Sequence, residues 1–526
     1  MKAFLVTLIV FRAVPMVASD SDPIVSVTGG QIKGAMLDQG GAVFKGIPYA
    51  RPPVGDLRWR EPIPVQRWSG VRDATAYGPM CSQVTSPLSP NGAEISKEDC
   101  LYLNVWTSEW PVRSHRPVMV WLHGGGNFAG TSTLRGTDGA SLARRGVVVV
   151  SLNYRLGSFG FFAHPELTRE SSHHASGNQG ILDQIAGLRW VRANIARFGG
   201  DAKNVTMFGV SAGSIDVSVL MTSPLSRGLF HRAIGQSGPS LLMDRSGINT
   251  NDPLTLKEAE KQGEILAANW NLPSTASLKE IRAVPAALIH KAQPSYSLAP
   301  WPNLGIIVDG YVFPKQPVAV FTAGQQHRVP LLLGNASREP FPSSVPPKDF
   351  RKTIEEAYGP LFERALSLYA GPTDPIYGTP VDQWRTDISF RCTTVAQALW
   401  HAAAGNVTFE YEFAHTPVGR EALGATHASE VSYVFGTLDR GIGGVGPTVR
   451  ATAVDAPISE AMQQYWTNFA KNGDPNGGNL PKWPRFDVSI RPYLQFTSAG
   501  PVAKEGLRRQ FCDLYIENVK RLRAER

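Results

Sequence analysis

The sequence predicts an α/β fold in which a large, mostly parallel central sheet is flanked by helices. Three observations predict it. Near-continuous apolar runs at 117–123, 146–155 and 329–334 read as strands buried on both faces. Segments long enough for helical crossovers separate the strands, as a parallel sheet requires. The stretch N-V-T-M-F-G-V-S-A-G at 204–213 reads as a strand turning sharply into a helix, with one serine, Ser211, at the turn.

In chain order, M-K-A-F-L-V-T-L-I-V-F places one lysine before a short apolar run. Pro15 and the small residues Val17, Ala18 and Ser19 come next, which is the layout of a secretory signal peptide over 1–19. No internal repeat or low-complexity linker divides the rest of the chain, so residues 20–526 are expected to form a single domain. No later run reaches the roughly 18 to 20 apolar residues of a membrane helix. The mature chain is therefore expected to be secreted or periplasmic, without stable membrane insertion.

Residues 24–43 are Gly-rich with short β-type runs. The stretch F-K-G-I-P-Y-A-R-P-P-V-G-D-L-R-W, 44–59, is punctuated by prolines that exclude a helix, and it is expected to lie extended over a surface. Residues 98–106 alternate apolar and polar as a strand does. The run at 117–123 ends in Gly124, Gly125 and Gly126. Over 177–195, Ile181, Leu182, Ile185, Leu188, Val191 and Ile195 fall on one helical face. Beyond Ser211 come a short strand around Ala233 and Ile234, irregular chain to about Pro302, the buried strand at 329–334, and an alternating strand at 406–413.

The apolar content of 42% and charged fraction of 18% fit a globular core and exclude a disordered chain. The net charge of +8 owes part of its weight to Lys520, Arg521, Arg523 and Arg526, which read as a solvated helix end. No Cys/His metal spacing, phosphate-binding Gly-Lys-Ser/Thr loop or basic-aromatic motif occurs, so no metal, cofactor or nucleic-acid partner is expected. Oligomeric state is left open. The four cysteines, an even count suited to an oxidising compartment, allow three pairings. Cys81 with Cys100, across a short loop, and Cys392 with Cys512, tying down the C-terminal tail, are the expected ones.

A serine hydroxyl is a poor nucleophile until a base takes its proton, and the base needs an acid behind it. On a strand–turn–helix of this kind the partners come in the order serine, acid, histidine. His231, His290, His327, His401, His415 and His427 lie beyond Ser211. His231 is too near the turn, His290 and His401 sit in helix-like stretches, and His327 lies at the wrong end of its strand. His427, in the small-residue loop G-A-T-H-A-S-E, is the preferred base and His415 the alternative. Glu339, a few residues past the strand at 329–334, is the candidate acid. Gly125, Gly126 and Ala212 can aim main-chain N–H groups at a developing oxyanion, where one donor is worth about 3 kcal/mol.

The segments F-K-G-I-P-Y-A-R-P-P-V-G, S-K-E-D-C-L-Y-L-N, W-L-H-G-G-G, N-Y-R-L-G, G-N-Q-G-I-L-D-Q, G-V-S-A-G-S and Y-W-T-N-F-A-K-N-G-D-P-N resemble the type-B carboxylesterase/lipase family, which includes carboxylesterases and cholinesterases. That resemblance implies an α/β-hydrolase fold with insertions forming a gorge or lid, and hydrolysis of small-molecule carboxylic esters through an acyl-enzyme without a cofactor. It places Ser211, Glu339 and His427 on the family's triad, Gly125, Gly126 and Ala212 on its oxyanion hole, and Ser237 on a serine that supports the acid. Both expected cysteine pairs match positions bridged in many members. Four departures stand out. Val210 replaces the glutamate of cholinesterases beside the nucleophile, and the loop between Cys81 and Cys100 is short, which together disfavour choline-type substrates. Pro340 replaces a usual glycine after the acid, and Asn127 takes a place often held by an aromatic. Two further readings are esters that are bulky or polycarboxylate, as in related fumonisin esterases, and a binding module that does no chemistry.

Overall fold

A computed structural model describes residues 22–85, 92–238, 254–292, 305–339 and 348–524. The signal-peptide segment and Pro340 lie outside the described residues. The strands are Ile24–Val27 (β1), Gly30–Lys33 (β2), Ala35–Met36 (β3), Ala42–Pro48 (β4), Val71–Asp73 (β5), Tyr102–Thr107 (β6), Arg116–Leu122 (β7), Val148–Leu152 (β8), Gly200–Val210 (β9), Arg232–Gln236 (β10), Leu331–Ala336 (β11), Thr408–Phe413 (β12), Pro492–Thr497 (β13) and Gly500–Glu505 (β14).

Eleven of them form one sheet in the order β14-β13-β12-β11-β10-β9-β7-β8-β6-β4-β3, while β1, β2 and β5 make a small separate sheet. From β8 to β13 every neighbouring pair in the large sheet is parallel. Antiparallel pairs finish both edges. Strands in the parallel block are covered on both faces, which is why β8 and β11 carry side chains buried at every position. The helix Gln179–Asn194 packs its apolar face on the sheet, with Ile181, Ile185, Leu188 and Val191 fully buried.

Two local expectations are corrected. The proline-rich stretch does not simply lie over a surface: β4 is a sheet strand with Phe44 and Ile47 fully buried, and only after Pro48 does the chain leave the ladder. Strand β6 is buried on both faces rather than alternating, because Asn104 is satisfied inside. Its Oδ1 accepts from Gly46 N at 3.0 Å and its Nδ2 donates to Ser151 Oγ at 3.1 Å. Both disulfides form, Cys81 with Cys100 and Cys392 with Cys512. No helix among the described residues is long and apolar enough to cross a membrane.

Candidate active site

Parallel strands align their carboxyl ends, and the loops that leave those ends gather at one rim of the sheet. The chain leaves β9 through Ser211, whose φ of 55° and ψ of −124° are strained for a residue with a Cβ, and enters the helix Ala212–Leu220. The turn is this tight because a Cβ on Gly213 would stand 2.1 Å from the carbonyl oxygen of Leu122, at the end of β7. Ser211 N donates to Gln236 O at 2.9 Å, fixing the turn to β10, and the serine itself is only half-buried.

The loop after β7 runs beside this turn. A Cβ on Gly124 would lie 3.0 Å from that of Ser211. Gly125, Gly126 and Asn127 then come with φ of 118°, 66° and 61°. No described group accepts a hydrogen bond from the N–H of Gly125 or Gly126, and Ala212 opens a helix whose first N–H groups lack intrahelical partners. His123, ahead of the glycines, is a brace: burial pushes its imidazole down to about 4, and its ring stacks on Tyr154 at 4.4 Å.

Glu339 leaves β11 three residues past its end and is fully buried. Its Oε1 accepts from Ala336 N at 2.6 Å, and its own N–H donates to Thr386 Oγ1 at 3.1 Å. Its Oε2 lies 2.5 Å from Nδ1 of His427. The two loops are joined directly, since Arg338 N donates to Ala425 O at 2.9 Å. The His427 loop is closed by Val445 N donating to His427 O at 2.8 Å, and Phe390 packs its ring 4.9 Å from the imidazole.

Four of the other histidines beyond Ser211 are engaged elsewhere. His415 pairs through Nε2 with Asp455 at 2.8 Å and through Nδ1 with Ser498 at 2.9 Å. His290 contacts Ser82, His401 contacts Gln326 and Val329 O, and His231 accepts from Val205 N. Ser237 donates its hydroxyl to Oε1 of a second buried carboxyl, Glu430, at 3.3 Å. Burial, and then the neighbouring charge of Glu339, push Glu430 up to about 7. Sequence reading missed Glu430, Phe390 and the two arginines that hold this rim. Arg391 Nη2 donates to Ser337 O at 2.7 Å, and Arg420 Nη1 donates to Thr426 Oγ1 at 3.1 Å. Asn127, in the place often held by an aromatic, donates its Nδ2 to Asp216 Oδ1 at 2.9 Å.

A sequence model described as "Carboxylesterase family" matches residues 21–357 and 371–515. The chain is similar to fumonisin B1 esterase of Sphingopyxis macrogoltabida, at 34% identity over 488 residues, covering 90% of this chain and 87% of that one. It is similar to the medium-chain fatty acyl-CoA hydrolase precursor of Anas platyrhynchos, at 33% identity, covering 95% of this chain and 92% of that one. Liver carboxylesterase 1F of Rattus norvegicus is 34% identical, with 90% of both chains covered. Among solved structures, a PNB esterase superposes with a TM-score of 0.78 at 31% identity, covering 94% of this chain and all of the other.

Proposed function

The chain belongs to the carboxylesterase family and is a carboxylic ester hydrolase, and from that premise we propose that it works through Ser211, His427 and Glu339 by way of an acyl-enzyme. The observation that carries this reading is the 2.5 Å contact between His427 Nδ1 and Glu339 Oε2, at the same sheet rim as the strained turn at Ser211. With Nδ1–H directed at the carboxylate, the other ring nitrogen, Nε2, is left as the base. It takes the Ser211 proton as Oγ attacks the ester carbonyl carbon. The N–H groups of Gly125, Gly126 and Ala212 hold the oxyanion, and the imidazolium stands against Glu339. Collapse breaks the ester C–O bond, and the alcohol leaves with the proton from Nε2. Water then attacks the acyl-enzyme along the same route, freeing the acid and Ser211.

The substrates are small-molecule esters. The similarity to a fumonisin B1 esterase favours, as a second reading, bulky or polycarboxylate esters. Val210, buried next to Gly124, brings no charge to the site, which argues against cationic alcohols. The two disulfides support residence in an oxidising compartment, secreted or periplasmic. Turnover of p-nitrophenyl acetate by the wild type and its loss in Ser211→Ala test the assignment. Full activity in that variant refutes it. A panel of simple esters and bulky esters of polycarboxylic acids decides between the two substrate readings.

A further inference from the structure

Next to the glycine loop sits a carboxyl group that the Ser211–His427–Glu339 relay does not use. Asp216 lies five residues past Ser211 in the helix Ala212–Leu220 and is fully buried. Its Oδ1 accepts from Asn127 Nδ2 at 2.9 Å and its Oδ2 from Gln184 Nε2 at 2.6 Å. Burial pushes this carboxyl up to about 7, against the pull of hydrogen bonds from Asn127, Gln184 and Tyr154. A buried acid held by neutral donors is costly, so its persistence needs a structural reason.

Asn127 supplies one. It ends a run of three left-handed residues, Gly125 to Asn127, and asparagine tolerates that backbone better than most side chains. Its carbonyl accepts from Gly157 N at 2.7 Å while its side chain reaches Asp216. The loop that carries Gly125 and Gly126 and the helix that begins after Ser211 come from segments 89 residues apart, measured between Asn127 and Asp216. An oxyanion hole works only if its donors keep a fixed distance from the atom that the nucleophile attacks.

We propose that Asp216 is a positioning residue: through Asn127 it ties the loop of Gly125 and Gly126 to the helix of Ser211, and so holds amides and hydroxyl in register for oxyanion formation. This rests on the proposed roles of those glycines and of Ser211. Asp216 acts at one remove, through Asn127, and does not touch the reacting atoms.

The test compares Asn127→Ala, Asp216→Leu and the reversed pair Asn127→Asp with Asp216→Asn, which keeps the bond but swaps donor and acceptor. In the reversed pair the amide oxygen at 216 still accepts from Gln184. Turnover of p-nitrophenyl acetate and the rate at which an organophosphate labels Ser211 are the readouts. Each single variant should lose about tenfold or more in kcat with KM within about twofold, with labelling slowed in parallel. The reversed pair should recover most of the loss. Unchanged kcat and labelling in Asn127→Ala, or a reversed pair no better than the single variants, overturns the proposal. If Asp216→Leu fails to fold, Asn127→Ala and the reversed pair carry the test. A wild type that does not label at Ser211 refutes the assignment of the nucleophile, an outcome distinct from equal labelling of wild type and variants.

Discussion

His427 Nδ1 stands 2.5 Å from Glu339 Oε2 although 88 residues separate them in the chain. The contact is prepared on both sides. The acid is held through its other oxygen by Ala336 N, and the main-chain bond from Arg338 to Ala425 stitches the two loops together one residue before Glu339 and two before His427. In the proposed relay this contact keeps the imidazole proton on Nδ1.

Glu339→Gln keeps the volume and removes the charge. It is expected to lower kcat by about 10³- to 10⁴-fold, because an amide neither enforces the required tautomer nor stabilises the imidazolium. KM should change little. Steady-state kinetics with p-nitrophenyl acetate check this, and a loss below tenfold would remove Glu339 from the relay.

Gly125→Ala tests the oxyanion loop. A Cβ there would fall 2.0 Å from Ala129 O, at a φ of 118° that side chains rarely adopt. The loop must shift, so kcat is expected to fall about a hundredfold or more with KM nearly unchanged. Gly136→Ala, where the added Cβ meets nothing within 4 Å, is the control and should retain full activity.

Glu410, on β12, is fully buried, and neither of its carboxylate oxygens has a hydrogen-bond partner among the described residues. Burial, then the neighbouring Glu412, push it from 4.5 up to about 8. Between those two values the folded chain keeps a proton that the unfolded chain has released, so stability falls as pH rises through the window and levels off above it. The effect is on the order of a few kcal/mol. Glu410→Gln removes this slope. Thermal unfolding from pH 5 to 9 should show a smaller decline for the variant, and parallel declines would contradict the account.

Much of this architecture was legible because it depends on local pattern. Strands β7, β8 and β11 are buried on both faces over most or all of their length and therefore read as near-continuous apolar runs, and the turn at Ser211 needs small residues within a few positions of it. What failed to show depends on partners distant in sequence. The hairpin of β13 and β14 escaped notice because β14 is an outer strand with an exposed, polar face and Pro501 near its start. Asp216 carries no local signal of its role, which depends on its helix being buried almost all round. Preferring His427 to His415 relied on loop composition. The buried Asp455 that engages His415 lies 40 residues farther on and left no local signal.

The central claim is that Ser211 is a nucleophile activated by His427. It is tested most directly by treating the protein with an organophosphate and mapping the adduct by peptide mass spectrometry. One equivalent on Ser211, formed at least about a hundredfold more slowly in His427→Ala, is the predicted result. An adduct on another residue, or equal labelling rates in wild type and His427→Ala, would contradict it.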